Sequence, residues 1–449
     1  MNGNQPKKYD CWAGSSVIAA LILLCGSTWL SDHARARAPR EQLPSDTVTG
    51  KIKRVALVDA LALARNNNRL LRVARARIGE AKGDLTQASV LLVSNPVVGV
   101  GIGPRFMTAS RGRVTADIDG FVEQALELGG QRRHRRARAT AKLHATRASI
   151  SDTRRVIDLA VALLFYRALA ARQRAVLHRE NVSLAEALLK TSRERIALGA
   201  GNQLDLYASR LVVAEAKRKA LAASTAHRTL LIRIGTVCGL PAGTRLRLRG
   251  SLPSPQAMSS SAAMTRRALR LRPELRALNH RIAAVRAAVR LARASAWPDL
   301  TLGVSYAREE GSNAVLFTLR VSLPFFNRNQ GHRERAIARL RRVRAERSSA
   351  RLSVSADVRV AWVAHRQAIR ALNLYTVDVL TAQKSSVQLL RRSFQEGKVG
   401  YVKVLIMQRQ LITGREGYLK ARLAFAQSLA RLRAAACLPQ TNANSRRGN

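Results

Sequence analysis

Two stretches of this chain, residues 131–198 and 332–396, contain neither glycine nor proline. Nothing else in the sequence constrains the fold as strongly. At ~1.5 Å per residue the first can form up to ~100 Å of helix, far longer than an ordinary globular helix. Each stretch stops at a glycine, spends a few small or polar residues, and resumes a helical pattern. The first tip reads Leu198-Gly199-Ala200-Gly201-Asn202-Gln203-Leu204, the second Glu396-Gly397-Lys398-Val399-Gly400-Tyr401. Glycine takes the left-handed conformation that ends helices, so both stretches read as tips of helical hairpins. Gly199 and Gly397 lie 198 residues apart, and that spacing is the period of the whole chain.

Repeat 1 spans 55–250. A helical pattern beginning near Val55 is interrupted by Asn66-Asn67-Asn68, resumes to about Leu92 and is closed by Asn95-Pro96. The period then changes to two. Val98, Val100 and Ile102 alternate with Gly99, Gly101 and Gly103, and after a loop at 104–113 Ala116, Ile118 and Val122 alternate with Thr115, Asp117 and Asp119. Strands are expected over about 96–103 and 114–122, then Leu128-Gly129-Gly130, the long helix and a tip at about 199–204. A Ser/Pro-rich linker, 251–261, leads to repeat 2, 262–439. There Trp297-Pro298 answers Asn95-Pro96, strands are expected over about 299–307 and 314–323, and the tip over about 397–401. A polar tail, 440–449, is expected to lack fixed structure.

The N-terminus carries Lys7 and Lys8, an apolar run from Val17 to Leu24 and then Ala34-Arg35-Ala36, which reads as a signal peptide over 1–36. Ser15, Ser16, Cys25 and Gly26 break the run too early for a spanning helix. Lipidation of Cys25 is disfavoured by Leu24, where a small residue is wanted. Residues 37–54 read as an N-terminal extended segment. Of the remaining cysteines, Cys238 and Cys437 sit at the ends of the last helix of each repeat, which leaves a disulfide between them open. The eight histidines are scattered without ligand spacing, so no metal site is expected.

The formal net charge is +50. The bases run along the entire chain with few interleaved aromatics, so they do not make a nucleic-acid interface. Such an excess also suits a compartment exposed to acid. The chain has no Walker loop, catalytic triad or carboxylate dyad, and Glu309-Glu310 reads as loop solvation; neither an enzyme nor a cofactor site is expected.

Two repeats supply only four strands, and an open sheet edge does not survive in a bilayer. Spanning barrels begin at about eight strands, so these strands can cross a membrane only if several chains pool them. A trimer would supply twelve. In that arrangement Val98, Val100, Ile118, Leu302, Val304, Phe317, Leu319 and Val321 face lipid, while Thr115, Asp117 and Asp119 face a watery lumen. The fold class expected is mainly α with a small transmembrane β part, built as two tandem repeats of helix, two strands and a long helical hairpin.

The two tips, Asn95-Pro96 and Trp297-Pro298, Leu126-Glu127-Leu128-Gly129-Gly130, and Leu323-Pro324-Phe325-Phe326-Asn327-Arg328-Asn329, in this duplicated order, resemble the TolC-like outer membrane efflux proteins. The branch resembled most serves heavy-metal-type pumps. The resemblance implies a homotrimer with a 12-stranded β-barrel in the outer membrane of a Gram-negative bacterium and a coiled-coil periplasmic tunnel. It implies docking to a periplasmic adaptor and an inner-membrane pump of the RND type, and passive conduction of what that pump delivers, heavy-metal cations among the candidates. The alternatives are an outlet for type I protein secretion and a secreted coiled-coil structural protein.

The resemblance also implies that the tips, Gly199, Asp205, Gly397, Lys398 and Lys403, form a periplasmic gate and adaptor-contacting surface. Here the chain departs from the family pattern. Lys403 and Ile406 stand where the founding members carry acidic residues, Phe394 where a gate-locking tyrosine is found, and Val399 where an arginine partners the first tip. Asp205 matches an acidic gate position and is expected to pair with Lys398 or Lys403 across neighbouring hairpins.

Overall fold

The computed structural model describes residues 53–106, 114–199, 201–256, 258–309, 312–375, 386, 389, 392–394, 396 and 398–441. The signal peptide, the lead up to residue 52, Gly397, the Thr115 side chain and the tail from 442 lie outside the described set. In chain order the elements are β1 (Lys53–Val55), α1 (Leu57–Asn67), α2 (Arg69–Ser89), β2 (Val97–Phe106), β3 (Val114–Leu126), α3 (Gln131–Ala197) and α4 (Gln203–Val237). They continue with β4 (Leu246–Leu248), α5 (Ser261–Leu271), α6 (Pro273–Ala294), β5 (Leu300–Glu309), β6 (Ser312–Val321), α7 (Gln330–Asn373) and α8 (Tyr401–Ala435).

Both long helices start from a residue in the left-handed region. Gly130 precedes α3 with φ 71°, and Asn329 precedes α7 with φ 57°. Asparagine tolerates that conformation better than most side chains, and Asn329 Nδ2 also donates to the Ala292 carbonyl at 2.9 Å, tying the corner to α6. At the equivalent corner of repeat 1 the α6 terminus passes so close that a Cβ on Gly129 would strike the Ala294 carbonyl.

The helix ends revise the pairing of the cysteines. Gly239 (φ 67°) and Cys437 (φ 55°) are the residues that occupy the left-handed position after α4 and α8. The closing hydrogen bonds match: Leu240 N to Gly235 O at 2.9 Å and Leu438 N to Arg433 O at 2.7 Å. The counterpart of Cys437 is therefore Gly239, not Cys238, and both cysteines are free thiols.

Helix α3 is the spine. Its Ile157, Val161, Phe165 and Leu169 pack with Leu61 of α1, Leu71 of α2 and Ile234 of α4, so the apolar stretch near residues 156–171 is buried in protein. The same core takes Val55, Leu246 and Leu248 from β1 and β4, a parallel pair that the sequence does not reveal because each strand is three residues long. Each repeat adds an ionic strut to its long helix. Arg65 Nε and Nη2 donate to the Asp158 carboxylate at 2.9 and 2.7 Å, and the buried Arg272 donates to Asp357 at 3.0 Å. The bond to Asp158 raises the Arg65 pKa above its ordinary value.

The four longer strands form one antiparallel sheet in the order β2-β3-β5-β6. β2 runs on through Pro104 to Phe106, beyond the loop start expected from that proline. Pro104 lies on an edge strand, where a missing N–H need not break a ladder. No helix among the described residues is long and apolar enough to cross a membrane.

Candidate channel wall and hairpin tips

The sheet register sorts the strand residues into two unlike faces. On one face Val98, Val100 and Ile102 lie opposite Val122, Gly120 and Ile118, continuing through Val304, Tyr306, Phe317 and Val315. This face is exposed in the single chain, Val100 at 73% and Phe317 at 83%. So large an apolar surface, uncovered by the protein itself, marks contact with lipid or another chain.

The opposite face is polar and built on small residues. Gly99 and Gly101 lie opposite Phe121 and Asp119, whose side chains fold over the space a Cβ would fill. Asp117 and Asp119 share this face with Glu123, Ser305, Thr301 and Arg320. Glu123 accepts two hydrogen bonds from Arg320, at 3.1 and 3.0 Å, in a fork that crosses β5 above Gly303. The alternation of β3 marked the acids; the Glu123–Arg320 pair, between residues almost two hundred positions apart, had no local signal.

At the far end of the hairpins the structure brings the two tips together through apolar contacts. Phe394, Tyr401 and Val404 from the second tip form a buried cluster with Leu188 of α3, with Ala208 of α4 against it. Phe394 is 2% exposed, and the Arg195 guanidinium lies 5.4 Å from its ring centroid. Burial pushes the Tyr401 phenol above its ordinary pKa. Ser209 sits 3.1 Å from Ser192, hydroxyl to hydroxyl, which joins α4 to α3 just inside the tip.

The charged tip residues are arranged differently. Gly199 (φ 70°) ends α3, and the Asn202 side chain accepts from Leu204 N at 2.9 Å to begin α4. Asp205 lies in the first turn of α4, where the helix dipole favours it. Lys398 Nζ lies 2.7 Å from Glu396, and Lys403 is exposed. Among the described residues of one chain, no ion pair joins Asp205 to Lys398 or Lys403. Composition offered one clue to the cluster: Phe394 and Tyr401 flank a tip in a chain with only 4% aromatic residues.

Between tip and core, α8 is held to α3 by polar links. Gln408 donates to Asn181 at 2.8 Å, Arg415 to Glu180 at 3.3 Å, and Glu416 receives His178 at 3.0 Å and Arg174 at 3.5 Å. Burial lowers the His178 pKa, and Glu416 opposes that shift.

A duplicated helical hairpin, each copy carrying two strands of a sheet with one lipid-compatible face, defines a duct-type membrane protein. A family model described as outer membrane efflux protein matches residues 264–437. The pyoverdine export outer membrane protein OpmQ of Pseudomonas putida is 24% identical over 389 residues, covering 82% of this chain and 82% of that protein. The cobalt-zinc-cadmium resistance protein CzcC of Cupriavidus metallidurans is 24% identical over 371 residues, covering 81% and 86%. The fold matches the crystal structure of the Campylobacter jejuni CmeC outer membrane channel, with TM-score 0.72 and 14% identity over 87% of this chain and 88% of that one. The chain resembles the outer membrane efflux proteins, a family of channels, through the family match in its second repeat and through these relatives and the shared fold over most of its length. It is the outer membrane channel component of an efflux system in a Gram-negative bacterium, with a large periplasmic helical part.

Proposed function

We propose that three copies of this chain close a twelve-stranded barrel and one continuous tunnel, through which cargo from an inner-membrane pump of the RND type and its periplasmic adaptor passes without chemical change. The observation that carries this reading is the two-faced sheet with open edges at β2 and β6. Edges exposing N–H and C=O groups cannot stand in lipid, so other copies must pair with them. In that assembly Thr115, Asp117 and Asp119 line the barrel lumen, while Gly199, Asp205, Gly397, Lys398 and Lys403 belong to the gated, adaptor-facing end. Cargo choice rests with the pump; relatives named for pyoverdine export and for cobalt-zinc-cadmium resistance make siderophores and divalent metals the two classes to test.

Gel migration of outer membrane extracts tests the assembly. A band of three chains that collapses to one on boiling is expected, and a monomer before boiling would overturn the closed barrel. For cargo, the sensitivity of a deletion strain is compared across zinc, cobalt, cadmium and siderophore-dependent growth. Restoration by the wild-type chain identifies the class; no change across the whole series would refute the efflux of either.

A further inference from the structure

The small sheet β1–β4 carries a cationic recess that the duct does not use. Val55, Leu246 and Leu248 turn inward to the core, so strand alternation sends Arg54 and Arg247 outward. These two are register partners in the parallel pair, guanidinium beside guanidinium on strands ~4.8 Å apart. Like charges directly opposite one another destabilise a strand pair. Arg172 of α3 joins them, held in place by donating from Nη1 to the Leu248 carbonyl at 3.2 Å. Arg249 follows β4, its backbone N donating to the Val55 carbonyl at 2.9 Å.

Together with Leu248 and Gly250, these four arginines line a recess of about 350 Å³. No carboxylate lines it, and none of the four guanidinium groups makes an ion pair among the described residues. Elsewhere the chain does supply acids to its structural arginines: Asp158 to Arg65, Asp357 to Arg272 and Glu123 to Arg320. Four guanidinium groups without a carboxylate partner around one small space, two of them in enforced register, make a concentrated set of donors for an anion.

We propose that this recess binds a compact oxyanion of the phosphate class bearing two or more charges, the size of a diphosphate. The guanidinium planes supply paired N–H donors to its oxygens, and the bound charge relieves the repulsion between Arg54 and Arg247. The shared chemistry is a clustered phosphate, whether free in solution or carried by a lipid headgroup.

Calorimetric titration of the purified full chain with sodium pyrophosphate, at about 150 mM salt to screen diffuse attraction, tests the proposal. One saturable site per chain is expected, weakened about tenfold or more in Arg247→Gln and in Arg54→Gln. Arg341→Gln, an exposed arginine on α7 outside the recess, should bind as the wild type does. Thermal unfolding adds an independent readout: without anion Arg247→Gln should melt higher than the wild type, and pyrophosphate should raise the melting points of the wild type and Arg341→Gln more than that of Arg247→Gln. Tighter binding of glycerol 1-phosphate than of pyrophosphate would support the site and assign it to a lipid headgroup. Non-saturable binding, or equal losses in Arg247→Gln and Arg341→Gln, would overturn the proposal.

Discussion

If the tips gate the duct, the cluster around Phe394 is what holds them together, and Phe394→Ala is the perturbation that tests it. The ring is 2% exposed and packs with Leu188, Tyr401 and Val404. Truncating a buried phenylalanine costs about 3–5 kcal/mol, and losing the Arg195 contact removes about 0.5–1 kcal/mol more. Helix ends can repack, so the lower bound of about 3 kcal/mol is the appropriate working figure. Only the part of that energy absent from the open state moves the gate. If the cluster parts completely on opening, 3 kcal/mol shifts the closed-to-open ratio by roughly 150-fold. Single-channel recording in planar bilayers should then show a chain that rests closed becoming open for most of the record. Phe394→Leu, which keeps most of the buried surface, should give a far smaller shift. Heat-modifiable migration checks that the variant still assembles. A correctly assembled Phe394→Ala channel with wild-type open probability would refute the idea that this cluster locks the tips.

Three further outcomes are expected. Cys437→Gly should stabilise the chain by about 1 kcal/mol, because Cys437 sits at φ 55° where glycine carries no steric cost; a thermal melt showing no gain would contradict the helix-end geometry. In reversal-potential measurements, Asp119→Asn should lower cation preference and Lys403→Ala should raise it, since one is assigned to the lumen and the other to the tunnel mouth; neither changing would remove both from the conduction path. Finally, burial lowers the pKa of His365, helped by Arg433, around a ring that bonds Ser428 at 3.1 Å and packs on Phe425. The unfolded chain therefore takes up this proton before the folded one does, so stability should fall as pH drops below the ordinary histidine value of about 6.5. His365→Gln should flatten that slope in unfolding titrations from neutral to mildly acidic pH, and an unchanged slope would rule the residue out.

That last expectation runs against the idea that the excess of bases adapts the chain to acid. Four histidines, His134, His178, His227 and His365, are pushed toward the neutral form chiefly by burial. Composition reports how many charges a chain has but not which ones the fold takes from water. The same distinction explains what was legible elsewhere. The long helices follow from the missing glycines and prolines, and the strands from alternation, because both signals are local and repeat over many residues. β1 and β4 are too short to establish a period, and they pair across almost two hundred residues. Cys437 answers Gly239 rather than Cys238, as the 198-residue period gives and as the left-handed φ at both helix ends shows. At the tips, charge pattern suggested an Asp205–lysine contact; in the single chain Lys398 turns to Glu396, and the buried aromatics join the hairpins.

The two copies of the hairpin are also unequal in how they are held. In α3 buried residues continue from Phe165 through Leu177 and Leu188 to Ser192, so the first hairpin is packed along its length. In α8 nothing between residues 409 and 424 is buried, and that span faces α3 through Arg415–Glu180 and the Glu416 pairs instead. Partly exposed ion pairs contribute little individually, whereas a buried leucine contributes about 1.5–3 kcal/mol. Among the described residues of one chain, the lower part of α8 is therefore held to α3 mainly by polar links, with Phe394, Tyr401 and Val404 as the buried apolar cluster at its tip.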